Sequence, residues 1–176
     1  QKPVGVSLCG QIDIHSDLKD NHKIWASMDD ITVRAGDNVY RPVGVNLDVL
    51  TTRDTTHAIA SCGDFRLNMD AHGGYQMLFD RVVGLQKELW KQFKNRRIDQ
   101  VKIRNSFPLG HIYLSTGKDN FISRFIKYMG YDFKSVEMDL NASPLAGLEG
   151  YMNIDSLVAS GIQLDTIRAL VHTQGD

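Results

Sequence analysis

The stretch CGDFRLNMDAHGGYQMLFDRVVGLQKELWKQF (62–93) decides how this chain is read. Its first part alternates strictly: Phe65, Leu67 and Met69 fall on one face and Asp64, Arg66 and Asn68 on the other, the pattern of a half-buried strand. The strand runs through Asp70-Ala71-His72 into the pair Gly73-Gly74. Leu78, Val82, Leu85, Leu89 and Phe93 then recur at helical spacing, which predicts one long amphipathic helix. A glycine pair at a helix start leaves the first backbone N–H groups open to an anion and lets a ligand come close, so the turn reads as a cradle for phosphate or pyrophosphate.

Upstream, Val4, Val6 and Leu8 alternate like a first strand, and 9–28 mix charged and apolar residues without a clean period. From Asp29 the pattern becomes an antiparallel meander. ITVRA leads into a turn at Gly36-Asp37-Asn38, VYRPVGVNLDVL is expected to bend or restart near Pro42, and a polar TTRDTT turn precedes HAIASC. Cys62-Gly63 is either a tight turn or a β-bulge, and the bulge is the expectation. Downstream, IDQVKIRN and HIYLST read as short strands separated by Phe107-Pro108-Leu109-Gly110. A second helix is predicted from about Asp119 to Met129, with Asp119 or Asn120 as its cap and Gly130 as its left-handed exit. Val136, Met138 and Leu140 alternate as a further strand. The last 36 residues contain a Pro-Leu-Ala-Gly turn and apolar segments around 154–158 and 167–171, expected to pack on the body or on a partner.

Composition narrows the classes. A chain of 176 residues with 42% hydrophobic and 23% charged residues is expected to make one domain, burying roughly two-thirds of its unfolded surface. A formal net charge of −1 argues against nucleic acid as a partner. The one basic cluster, Lys91, Lys94, Arg96, Arg97, Lys102 and Arg104, lies at and beyond a helix C-terminus, where cations oppose the dipole. Two cysteines without CxxC spacing indicate neither a disulfide framework nor a zinc site, and Cys9 is expected to be a buried structural thiol. A reducing, cytoplasmic setting and no membrane span follow as expectations. The six histidines show no HxH, HxxxH or HExxH spacing, so no metal is predicted. A long-range cluster of His57, His111 and Asp48 is the one assembly left to the tertiary structure.

The order of elements, with HIYLSTGKDNFISRFIKYMGYDFKSVEMDL (111–140) as its closing unit, resembles the GNAT acyltransferase fold. The resemblance implies an α/β (α+β) domain over 1–140, with a mixed, mainly antiparallel sheet and two main helices, followed by an extension at 141–176. It implies acetyl-CoA as cofactor, its pyrophosphate held by the backbone at His72, Gly73, Gly74, Tyr75 and Gln76, with Asn120 also touching it. The activity implied is acyl transfer to an amine on a small molecule or a protein. Asp64 and Asp70 are carboxylates near that turn and His72 is an imidazole beside them; Asp70 is the candidate base. The family's general-acid tyrosine falls at Ile126 here. Tyr128, about 200° round the helix, is the nearest phenol and the candidate acid. These departures support a second expectation: a GNAT-like structural or interaction protein, such as a phage virion component, without catalysis and with its partner or its own copies bound through 141–176.

Overall fold

A computed structural model describes residues 4–35, 38–41, 43–159 and 162–172. The strands are β1 (Val4–Ser16), β2 (His22–Ala35), β3 (Asn38–Tyr40), β4 (Val45–Thr51), β5 (Thr55–Cys62), β6 (Phe65–His72), β7 (Gly110–Thr116), β8 (Tyr131–Asp132), β9 (Ser135–Ser143), β10 (Gly147–Ala159) and β11 (Ile162–His172). The helices are α1 (Tyr75–Asn95), α2 (Gln100–Asn105) and α3 (Phe121–Tyr128). The strands form one sheet in the order β1-β2-β4-β5-β6-β7-β9-β10-β11, with β3 added to β2 and β8 to β10. Of the expected turn at 36–38, Gly36 and Asp37 lie outside the described residues, as does Pro42.

This architecture corrects the expected mixed, GNAT-like α/β sheet. The fold is β-rich, and every pairing among the described strands is antiparallel. The reason lies in where the excursions return. The α1–α2 segment leaves from the end of β6 and re-enters at the start of β7, where Ala71 pairs with Gly110 at the same end of the sheet. A parallel pair would require the chain to cross to the opposite end before pairing. The α1–α2 and α3 excursions instead come back beside the strand they left, so apart from the short β3 and β8 the sheet is a meander.

Period-2 patterning gives the sheet two unlike faces. Leu47, Ala60, Leu67, Leu114, Met138 and Met152 are successive cross-strand neighbours from β4 to β10 and form one row of an apolar face. On the opposite face His57, Asp70, His111, Asn141, Glu149 and His172 form a corresponding row from β5 to β11. Few apolar side chains are fully buried. Among the described residues these are Ala26, Ala58, Cys62, Phe65 and Phe133.

Several local expectations change. Cys62 pairs directly with Phe65, so Gly63-Asp64 is a tight two-residue turn rather than a bulge; Gly63 has φ +60°, which glycine adopts without strain. The region 98–105, expected as a strand, contains α2. The Asp99 side chain caps it by accepting from the Lys102 N–H, and β6 and β7 pair with each other, leaving no edge between them for another strand. β9 runs through position 140, and β10 and β11 continue the same sheet rather than forming a separate extension. Cys9 is exposed on the edge strand, whereas Cys62 is the buried thiol. The second helix matches its expected cap and exit: Asn120 accepts from the Ser123 N–H, and Gly130 has φ +93°.

Candidate functional site

The glycine turn does start a helix, but its amides point into the protein. The His72 N–H donates to Leu109 O at 2.8 Å, Gly73 to Asp54 O at 2.6 Å, Gly74 to Arg53 O at 3.0 Å, and Tyr75 to Thr51 Oγ1 at 3.1 Å. Four of the five amides expected to cradle a pyrophosphate are therefore occupied by the β4–β5 turn and its neighbours. The glycines serve close packing. A Cβ at Gly74 would lie 2.8 Å from Thr52 O, and one at Gly73, where φ is +102°, would run into the Met77 Cε methyl.

Asp70 lies on the polar face, bonded to His57 Nδ1 across the β5–β6 pair, and its other neighbour is His111 on β7. His111 Nε2 in turn meets Asp139 Oδ1 at 2.9 Å, and His172 Nδ1 lies 3.3 Å from Glu149 Oε1. These pairs flank a shallow hollow of about 350 Å³ lined by Asp70, His111, Asn141 and Glu149 among others. His57 and His111 sit two strands apart, and Asp48 pairs with Ile59 in a different row, so the three do not converge. No set of three ligating side chains suited to a metal occurs among the described residues.

Asp70 and Tyr128 are not brought together. Asp70 pairs with His111 near the start of β7, whereas α3 follows Thr116 at its far end, about 17 Å further along the strand. Tyr128 is 89% exposed on α3, and His72 is exposed beside the glycine turn. Asn120 is 1% exposed. Its side-chain amide donates to Asp64 Oδ1 at 2.6 Å and to Thr116 Oγ1 at 2.9 Å, while its oxygen accepts from the Ser123 N–H at 2.8 Å. Burial pushes the Asp64 carboxyl up, but hydrogen bonds from the Asn120 side chain and the Asp119 and Gly117 amides together hold it below its ordinary value. This cluster locks the β5–β6 turn onto the start of α3.

The largest chemical asymmetry is apolar surface. On α1, Phe79 and Val82 are more than half exposed, Trp90 is 70% exposed and Phe93 82%. The first half of the helix leans over β6, β7 and β9, leaving an apolar groove of about 370 Å³ between Leu78, Val82 and the side chains of Met69, Ile112 and Leu140. Its second half turns to α2, where the buried Gln92 side chain accepts from the Asp99 N–H at 2.6 Å. Over β1, β2 and β4 the apolar face carries Ile12 and Ile14, both 63% exposed, and the half-buried Ile24, Met28, Leu47 and Val49. From α1, Tyr75 reaches this side, its ring edge-on to His22 at 5.4 Å.

The sequence contained one sign of this surface. Beside the predicted stripe, Phe79, Val83 and Trp90 form a second helical row, and a helix apolar on two sides needs contacts on both. Comparison with known protein families, curated proteins and solved structures finds no match. No described helix is long and apolar enough to cross a membrane.

Proposed function

We propose that this protein is a structural subunit that completes its fold by assembling with copies of itself. One observation carries this reading: the chain exposes 12631 Å². A folded monomer of 19.8 kDa exposes about 8,600 Å² by the general scaling of surface with mass. The surplus of about 4,000 Å² is the area that an obligate oligomer buries at its interfaces. It coincides with the half-open apolar face, with Trp90 and Phe93, and with two long unpaired edges.

Those edges are the outer sides of β1 and β11, which among the described residues pair only with β2 and β10. β11 (IQLDTIRALVH) has neither proline nor lysine to discourage further pairing. It lies within the 141–176 segment expected to meet a partner. A repeating assembly also accounts for a polar face of paired histidines and carboxylates, which stays solvated while the opposite face is covered.

The test is the mass in solution of the purified chain, by light scattering and sedimentation, between about 1 and 100 μM. A defined oligomer is expected throughout the upper part of that range. A monomer at about 100 μM overturns the reading, because a surplus of this size does not remain exposed in an obligate subunit.

A further inference from the structure

The surfaces left open on this chain are of two complementary kinds. The C-terminal half of α1 and the segment after it carry Lys87, Lys91, Lys94, Arg96, Arg97, Lys102 and Arg104 against two acidic residues, Glu88 and Asp99. Among the described residues, Lys87, Lys91, Lys94, Arg96 and Arg97 form no ion pair within the chain, whereas Lys102 meets Asp99 at 3.3 Å. This basic ground surrounds Leu89, Trp90 and Phe93, three apolar side chains that together line an open notch of about 250 Å³.

The β1–β2 hairpin is the opposite. Over 9–30 it bears Asp13, Asp17, Asp20, Asp29 and Asp30 against Lys19 and Lys23; Asp13 and Asp29 fall on the polar face, where Asp13 meets His15 at 3.1 Å, and Asp17 and Asp20 stand in the turn at the hairpin tip. Backbone and side-chain hydrogen bonds from Asn21, with the Lys19 amide, hold Asp17 down to about 2, so its charge persists at any ordinary pH. Next to the tip, on the apolar face, lie Ile12 and Ile14, paired with Ala26 and Ile24, which continue into the β4 side chains. An apolar patch that ends at an acidic tip, Asp17 and Asp20, thus faces an apolar ridge with a basic rim as its complement.

We propose that the C-terminal half of α1 in one copy docks on the β1–β2–β4 apolar face of a second copy, Trp90 and Phe93 covering Ile12 and Ile14 while the basic rim meets the hairpin aspartates. This inference rests on the assembly reading and names its interface. The two patches lie on different parts of the chain and each copy has one ridge and one face to offer, so copies engage either reciprocally in a closed dimer or through head-to-tail contacts. Head-to-tail contacts close into a ring or continue as a filament. Area supports a second copy as the occupant, because the surplus surface exceeds what one standard interface needs.

The experiment combines mass measurement with directed cross-linking. Trp90→Lys together with Phe93→Lys, at two already exposed positions, is expected to raise the concentration for half-assembly at least tenfold with an unchanged circular dichroism spectrum. Raising salt to about 0.5 M is expected to weaken wild-type assembly in the same direction. In a Cys9→Ser background, Ile14→Cys chains mixed with Phe93→Cys chains are expected to form a disulfide joining positions 14 and 93, identified by peptide mass. If the wild-type chain assembles but the double lysine variant does so equally well, or the 14–93 linkage is absent, the docking inference is overturned and the assembly reading stands. A monomeric wild-type chain overturns both, and assigns the patches to a different protein.

Discussion

The side-chain amide of Asn120 donates to the Asp64 carboxylate at 2.6 Å, joining the start of α3 to the β5–β6 turn 56 residues earlier in the chain. Asn120 also caps α3, and Thr116 and Ser123 complete the cluster around it. The most buried polar side chain among the described residues therefore holds two distant segments in one arrangement. The asparagine that a GNAT resemblance would place on a cofactor has its side chain committed to the protein itself.

Asn120→Ala is expected to destabilise the chain by about 2–3 kcal/mol, the sum of a lost helix cap and a carboxylate deprived of its donor. Urea unfolding at a fixed chain concentration measures it. A loss under about 0.5 kcal/mol would show that the cluster does not bear on stability.

Asp64 has a consequence for pH. Its carboxyl is held below the ordinary value in the folded chain, so it contributes stability above the unfolded value of about 4, and this is lost as pH falls through the folded value. Asp17, Asp99 and Asp132 are lowered too, so the wild-type decline in acid is shared. The specific expectation concerns a difference: Asp64→Asn is less stable than wild type at pH 7, and the gap narrows below pH 4. Thermal melts from pH 7 to 2.5 follow it, and a constant gap would refute it.

Two glycines are expected to respond to alanine with opposite signs. Gly84 lies inside α1 with nothing within 4 Å of an added Cβ, so Gly84→Ala should stabilise by about 0.5–1 kcal/mol. Gly73 has φ +102°, and its Cβ would meet Met77, so Gly73→Ala should destabilise by about 1–3 kcal/mol. Paired denaturation curves decide both. Equal effects would mean that the turn relaxes freely.

Coenzyme A at millimolar concentration is expected to leave the melting temperature unchanged, because the His72, Gly73, Gly74 and Tyr75 amides already have partners. Specific binding at a hundred times the dissociation constant would add about 2.7 kcal/mol and move the transition by several degrees. A shift of that size would restore the glycine turn as a ligand site.

Much of the local structure was legible from residue order. The alternation in 45–51 and 65–71, the apolar spacing of α1, the Asn120 cap and the Gly130 exit each follow from short-range rules that act within a few residues. The segment 98–105 misled because Val101 and Ile103 favour a strand only where a sheet edge is available. With β6 and β7 already paired, the Asp99 cap prevailed. The expected bulge at Gly63 failed for a similar reason, since the register of β5 against β6 is a property of the pair.

The sequence by itself determined the alternating strand at 65–69, the long helix after Gly74, the Asn120-capped helix and the polar turn between β4 and β5, because backbone sterics and side-chain periodicity operate locally. Only the tertiary structure decided that each excursion returns to the neighbouring strand, making the sheet wholly antiparallel, and that the glycine amides close on the 52–55 turn rather than on a ligand. It also decided that Trp90, Phe93, Ile12 and Ile14 remain uncovered. Burial depends on what the rest of the chain brings opposite a residue, and here the chain brings too little to cover its own apolar face.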